Sequence, residues 1–135
     1  MGLDTRGHVP KVLLVLCLLY AAASLIHFAH NAESLADYPN MPEWLSRAKI
    51  YAAWLCLTAV GVVGCFLVHR GFQLTGLLVI AVYAALGFDS LTHYVVAPFA
   101  AHTAMMHVTI WMDVATAAVL LVAAARLAAR RMGMV

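Results

Sequence analysis

Four long apolar stretches separated by more polar segments dominate the chain. They cover residues 12–30, 46–69, 72–95 and 104–129. At about 1.5 Å of rise per residue, each stretch is long enough to cross a hydrocarbon core of about 30 Å as a helix. None alternates polar and apolar residues, which argues against transmembrane strands. The pattern therefore predicts an all-α integral membrane protein, with residues 1–135 forming a single membrane domain, a four-transmembrane-helix up-down bundle.

Capping and breaking residues mark the predicted helix ends. Thr103 is placed to cap the fourth helix, and Pro98 requires the third helix to end before it. Asn40, followed by Pro42 and Glu43, suggests that the second helix begins near Pro42, ahead of its most apolar part. The connections are short, so neighbouring helices are expected to pack antiparallel.

Composition agrees with a membrane protein and excludes several other classes. Hydrophobic residues make up 65% of the chain and charged residues only 10%, whereas a soluble domain carries about 25% charged residues. The same counts exclude a disordered segment, a coiled coil and a secreted disulfide scaffold. The net charge is only +2 and the basic residues lie at chain ends and in connections, so no nucleic-acid partner is expected.

The basic residues predict an orientation. In a four-span topology, six of the eight lie on one side of the membrane and two on the other. The six are Arg6, Lys11, Arg70, Arg126, Arg130 and Arg131, and the two are Arg47 and Lys49. The positive-inside rule then makes both termini cytoplasmic, in a multi-pass protein of the cytoplasmic (inner) membrane. The lipid bilayer is the expected partner, and a homo-oligomer or a larger membrane complex remains open.

The seven histidines are many for a bilayer-embedded chain, and most belong to one side. His8 and His69 fall on the cytoplasmic side. The other five fall at the outer, periplasmic ends of three predicted helices: His27, His30, His93, His102 and His107. Asp89 lies four residues before His93, on the same face of an α-helix and about 10 Å deep. Because an ionised Asp inside a membrane costs on the order of 2.5–3.5 kcal/mol, we expect Asp89 to face the bundle interior with a partner.

This distribution predicts a metal site at the outer end of the bundle. The candidate ligands are His27, His30, Asp89, His93 and His107. Imidazole and carboxylate without thiolate suit a transition metal ion such as Cu, Zn or Fe. An open coordination position would admit oxygen or an apolar substrate, so a metal-dependent membrane oxidoreductase is the favoured enzyme class. Asp89 and Glu33 are the candidate catalytic carboxylates.

Two further residues are secondary candidates. His102 lies beside the predicted site, and Asp113 lies deeper, on the helix face that also carries His102, Met106 and Thr109. This face is expected to point inward. Asp113 is either a proton relay or ion ligand, or a carboxyl group hydrogen-bonded to a neighbour such as Thr58 or Tyr83.

One motif resembles a known copper site. Asp89-x-x-x-His93 ends one predicted span, and His107 lies early in the next. This arrangement resembles a copper site in the C subunit of the particulate methane and ammonia monooxygenases, where an Asp (or Asn)-x3-His and a His on the following helix bind copper. The resemblance covers residues 89–107 and implies Asp89, His93 and His107 as copper ligands. His27 and His30 have no counterpart in the motif, and this chain is much shorter than that subunit.

Other functions remain open from the residues alone. A b-type haem electron-transfer protein could use the pairs His27/His93 or His30/His107 as axial ligands. A metal-ion or proton carrier could continue its path inward through Asp113. An accessory subunit of a larger membrane complex would need no site, because each His could be an interfacial residue bonded to a carbonyl group or a lipid headgroup.

Overall fold

Four helices in the structure are long and apolar enough to span a membrane. The computed structural model describes residues 9–134, so Arg6 and His8 lie outside the described range. The elements are α1 (Lys11–Glu33), α2 (Arg47–His69), α3 (Gln73–Leu86), a 3-10 segment (Gly87–Thr92), α4 (His93–Val96) and α5 (Ala104–Arg131). Short 3-10 turns at Leu35–Asp37 and Phe99–Ala101 lie in the connections. The prediction of an all-α chain with four such helices is confirmed for the described residues.

The four long elements form a ring of neighbours. Helix α1 packs on α2 and α5, and α3 packs on α2 and α5. The turn between α2 and α3 passes through Gly71, whose φ of +92° lies in the left-handed region that glycine adopts without steric cost. Gly64 and Gly76 let the backbones of α2 and α3 touch, since a Cβ atom on Gly76 would lie 2.7 Å from the Gly64 carbonyl oxygen. This contact fixes α2 against α3 at one end of the bundle.

The two ends of the bundle differ in chemistry. We call the end formed by the last turns of α1, the first turns of α2, helix α4 and the first turns of α5 the histidine end. The opposite end carries Lys11, Arg70, Arg126 and the pair Arg130–Arg131, and we call it the arginine end. Between them lies an apolar core that includes Tyr20, Ile80, Ala117 and Leu120.

Two predicted helix starts have different outcomes. Thr103 caps α5 as expected, because its hydroxyl accepts a hydrogen bond from the Met106 backbone N–H at 3.3 Å. The start of α2 near Pro42 was wrong. Helix α2 begins at Arg47, and Ser46 caps it. Asn40 instead has a φ of 57° and donates a hydrogen bond from its side chain to the Val96 carbonyl oxygen at 2.8 Å, which ties the connection to α4.

The third span is not one continuous α-helix, and this changes the placement of Asp89. A 3-10 helix advances 120° per residue instead of 100°, so residues three apart align and residues four apart do not. The α-helical alignment of Asp89 with His93 therefore does not apply: His93 is buried, whereas Asp89 is exposed, although both line the cavity described below. The expectation for Asp89 is met only in part: it lines a cavity between the helices, but it is exposed and its carboxylate has no ion-pair or hydrogen-bond partner within residues 9–134.

Candidate functional site

A row of four imidazole rings crosses the histidine end from α1 to α5. The ring centroids of His27 and His93 lie 5.4 Å apart, those of His93 and His102 6.2 Å, and those of His102 and His107 5.8 Å. His27, His93 and His102 are buried, and His107 is partly buried. Residues that are distant in sequence are thus gathered at one end, in line with the sequence-based grouping.

Asn31 joins the first two rings of the row. Its side-chain Nδ2 donates to His27 Nε2 at 3.1 Å and to His93 Nε2 at 3.4 Å. Because both Nε2 atoms accept, the proton of each neutral ring is on Nδ1, and His27 Nδ1 donates to the Thr109 hydroxyl at 3.4 Å. Two imidazoles from different helices therefore turn their lone pairs toward a single point. The Asn31 Oδ1 atom is buried and has no hydrogen-bond partner among the described residues.

His102 is held by one ring nitrogen only. Its Nδ1 donates to the Pro98 carbonyl oxygen at 3.1 Å. Its Nε2 is buried and has no hydrogen-bond partner in the part of the chain that the structure describes. A buried acceptor without a partner is uncommon in native proteins, and this one lies beside His93.

The remaining two outer histidines contact tyrosines instead of joining the Asn31 network. The Tyr38 hydroxyl group shares a hydrogen bond with His30 Nδ1 at 2.8 Å, and the Tyr94 hydroxyl group shares one with His107 Nδ1 at 2.8 Å. Burial raises the pKa of Tyr38 to about 12, so this hydroxyl group is protonated at neutral pH. His107 also stacks on Phe99, with ring centroids 3.9 Å apart.

The predicted metal ligands are not gathered around one point. Within residues 9–134, no group of three or more His, Cys, Asp or Glu side chains is positioned to hold a metal ion. This holds for the five predicted ligands His27, His30, Asp89, His93 and His107. It also holds for the three residues that the copper-site resemblance implies. The structure brings His27 close to His93 and adds His102 and Asn31, of which only His102 had been considered, as a secondary candidate.

The two candidate catalytic carboxylates occupy different surroundings. Glu33 forms an ion pair with Arg47 at 2.8 Å and accepts a hydrogen bond from the Tyr51 hydroxyl at 2.8 Å. Both members of this ion pair are well exposed. Asp89 lies on the exposed side of the 3-10 segment, where its backbone carbonyl oxygen accepts a hydrogen bond from Thr92. Only Asp89 lines the cavity described below.

Asp113 is buried deeper in the bundle, and its partner is not one of those expected. Its side chain is only 1% exposed, and Ser90 Oγ donates to its Oδ2 at 2.5 Å. Thr58 and Tyr83, the expected partners, do not bond to it, and both of their hydroxyl groups lack a partner within residues 9–134. The inward orientation of its helix face is confirmed, since His102, Met106 and Thr109 are also buried.

A cavity of about 350 Å³ adjoins the imidazole row. Its walls come from α1, α2, the 40–45 connection and the third span, and they are mainly apolar: Phe28, Met41, Pro42, Leu45, Ile50, Ala53, Leu57, Leu86 and Val96. Its polar lining residues are Tyr20, His27, Asn31, Asn40, Asp89, Ser90, Thr92 and His93. The volume falls within the range of about 300–1,000 Å³ that is typical of small-molecule sites. This arrangement can hold a molecule with an apolar body and a polar group.

Sequence reasoning missed three residues of this region as site residues. Asn31 lies four residues after His27 on α1, a helical spacing that could have indicated their hydrogen bond. Ser90 carried no such signal, because its contact with Asp113 depends on how the third span packs against α5. Tyr38 lies in a connection without a periodic pattern, yet it is only 4% exposed and contacts His30.

Comparison with protein-family models, with curated proteins and with solved structures finds no match to this chain. The site must therefore be interpreted from its own geometry.

Proposed function

We propose that this protein is a multi-pass protein of the cytoplasmic membrane that binds a small amphipathic molecule in the cavity at its histidine end. The observation that carries the proposal is a cavity with apolar walls whose polar lining includes the buried imidazoles of His27 and His93. Polar groups at fixed positions in a cavity with apolar walls are typical of sites that orient a ligand. Asn31 supports this interpretation, because it lines the cavity and its Oδ1 acceptor lacks a partner among the described residues.

The distribution of charge supports an orientation with the cavity on the outer side. Lys11, Arg70, Arg126 and the pair Arg130–Arg131 lie at the arginine end, and the positive-inside rule places such an end in the cytoplasm. The cavity would then lie in the outer half of the bilayer. A ligand with an apolar body can reach it from that leaflet.

Photolabelling with a neutral amphiphile tests the proposal. The probe is an alkyl alcohol that carries a photoreactive diazirine, applied to the protein in lipid nanodiscs, and mass spectrometry maps the labelled residues. We expect saturable labelling of the cavity walls on α1, α2 and the 40–45 connection, reversed by an excess of unlabelled octanol. Labelling that never saturates, or that follows lipid exposure around the whole bundle, would contradict a defined site.

Two neighbouring alanines provide a matched pair of variants. Ala53 and Ala52 are both exposed on α2, but only Ala53 lines the cavity. Ala53→Phe should fill the cavity and abolish the saturable labelling, whereas Ala52→Phe should leave it unchanged. Equal effects of the two substitutions would show that the labelling does not report the cavity.

A second candidate function, metal binding, is favoured by one specific observation. His102 Nε2 is buried without a partner in the described structure, beside His93, and the Nε2 atoms of His27 and His93 face a common point. Asn31 and the three rings would have to move to surround an ion with these lone pairs. Metal analysis of the purified protein, together with an absorption spectrum for a haem Soret band, tests this candidate. Stoichiometric Cu, Zn or Fe that is lost in His93→Ala would support it, and metal-free protein would eliminate it.

A further inference from the structure

The side chains that line the cavity include an acidic group without a basic one to balance it. Among the described residues that line it, Asp89 has the only acidic side chain and there is no Lys or Arg. The Asp89 carboxylate has neither an ion-pair partner nor a hydrogen-bond donor within residues 9–134. Its exposure leaves it open to a molecule that enters the cavity.

The basic side chains near the histidine end are engaged elsewhere. Arg47 pairs with Glu33 at 2.8 Å. Lys49 donates to the Trp44 carbonyl oxygen at 2.7 Å, and its ammonium group lies 5.3 Å from the centre of the Trp44 ring. Neither side chain therefore neutralises Asp89. A carboxylate within a membrane-spanning segment is costly unless a partner compensates it.

Further acceptors lie in the same cavity. Asn31 is 93% buried, and its Oδ1 has no partner among the described residues while both of its N–H groups are directed to imidazoles. Asp89 and Asn31 thus provide three acceptor oxygens that the described part of the chain does not use. A primary ammonium group carries three N–H donors and a positive charge, which complements this set better than a hydroxyl or an anion does.

We infer that the ligand of the cavity is a cationic amphiphile, an apolar body bearing a primary ammonium group that pairs with Asp89. This inference rests on the proposed function, because it names the chemical class of the molecule that the cavity binds. The walls on α1 and α2 take the apolar body, and the cationic group lies at the side of the cavity formed by the 3-10 segment.

Two probes with the same diazirine-bearing chain test the charge directly, one ending in a primary amine and the other in an alcohol. In Asp89→Asn, the amine concentration for half-maximal labelling should rise about tenfold, because the loss of one charge-assisted hydrogen bond weakens binding by about that factor. The alcohol concentration for half-maximal labelling should stay unchanged. Comparing the same probe between variants cancels its partitioning into lipid. Asp37→Asn is the control, since Asp37 is exposed near the same end and does not line the cavity. Asp89→Glu keeps the charge and should keep the amine preference.

The outcomes separate this inference from the proposed function. If both probes label the cavity and Asp89→Asn weakens neither, or weakens both equally, the cationic ligand is wrong and the cavity stands. If neither probe labels the wild-type cavity, the proposed function itself fails. Circular dichroism of each variant shows whether it folds.

A comparison of lipids identifies the source of the ammonium group. Nanodiscs of phosphatidylcholine are zwitterionic like those of phosphatidylethanolamine, but only the latter supply primary ammonium headgroups. Weaker amine labelling of the wild type in phosphatidylethanolamine would identify a lipid headgroup as the occupant. Unchanged labelling would identify a free amine. The preference for a cation is tested by the Asp89→Asn comparison, and the lipid comparison then identifies its source.

Discussion

The hydrogen bonds of Asn31 allow a quantitative test of the imidazole network. Asn31→Leu keeps a similar side-chain size but removes both N–H donors, so His27 Nε2 and His93 Nε2 lose their partner. A hydrogen bond contributes about 0.5–1.5 kcal/mol net, and interhelical bonds in membrane proteins average about 0.6 kcal/mol. The 3.1 Å bond within α1 should therefore contribute more than the 3.4 Å bond to His93. Together they predict a loss of about 2 kcal/mol in the free energy of unfolding.

Equilibrium unfolding in mixed micelles with increasing SDS, followed by circular dichroism, measures this loss. Double-mutant cycles then assign it to pairs of residues: Asn31 should couple to His27 and to His93 by about 0.5–1.5 kcal/mol each. His30 is the matched control, because it is adjacent in sequence to Asn31 but bonds to Tyr38. Coupling of Asn31 to His30 as large as that to His27, or a total loss below about 0.5 kcal/mol, would refute the network.

Three further predictions concern the bundle that supports the site. Ser90→Ala should lower the free energy of unfolding by about 1–3 kcal/mol, measured by the same SDS titration, because the buried Asp113 carboxyl group loses its donor. Cys17 and Cys65 should form a disulfide under mild oxidation, detected by mass spectrometry. Their Sγ atoms lie 3.9 Å apart, and rotation of the two side chains can close this gap to the S–S bond length of about 2.05 Å. Gly76→Ala should cost about 1–3 kcal/mol in the same titration, because the new Cβ would lie 2.6 Å from the backbone of α2.

Each of these has a control on the same element. Cys56 is exposed on another face of α2 and should not cross-link to Cys17 within one chain. Thr75→Ala, at an exposed position next to Gly76, should change stability by less than about 0.5 kcal/mol. For Ser90, the control is Thr92→Ala, whose hydroxyl group bonds to the exposed backbone carbonyl oxygen of Asp89 and not to a buried carboxyl group. If a control variant shows the same loss of stability, or the same cross-link, as its test variant, the contact proposed for that test variant is wrong.

Much of the fold could be predicted from the chain because the bilayer-length apolar stretches are a strong signal. The expected spans at 12–30, 46–69, 72–95 and 104–129 compare with helical segments at 11–33, 47–69, 73–96 and 104–131. The Thr103 cap also followed from local chemistry. The predictions that were wrong concerned local geometry that depends on tertiary contacts. The 3-10 segment at 87–92 has no clear local signal, and it leaves Asp89 exposed at the cavity instead of buried with a partner as α-helical spacing implies.

The candidate site was predictable as a region but not as a set of contacts. Helical topology was enough to group the outer histidines at one end. It could not show that His30 and His107 bond to tyrosines, since Tyr38 lies in a connection whose path follows no periodic pattern. It also could not reveal the cavity, which depends on how α2 and the 40–45 connection stand relative to α1 and the third span.

Imidazole nitrogen NMR on the protein in nanodiscs, with isotopically labelled histidine, tests the central claim most directly. Titration with octylamine should shift the resonances of His27 and His93 in a saturable way, because both rings line the cavity. His69, at the arginine end of α2, should not shift. Saturable shifts confined to the two cavity histidines are the predicted result. If no histidine responds, or if His69 shifts together with the others, the cavity is not the binding site.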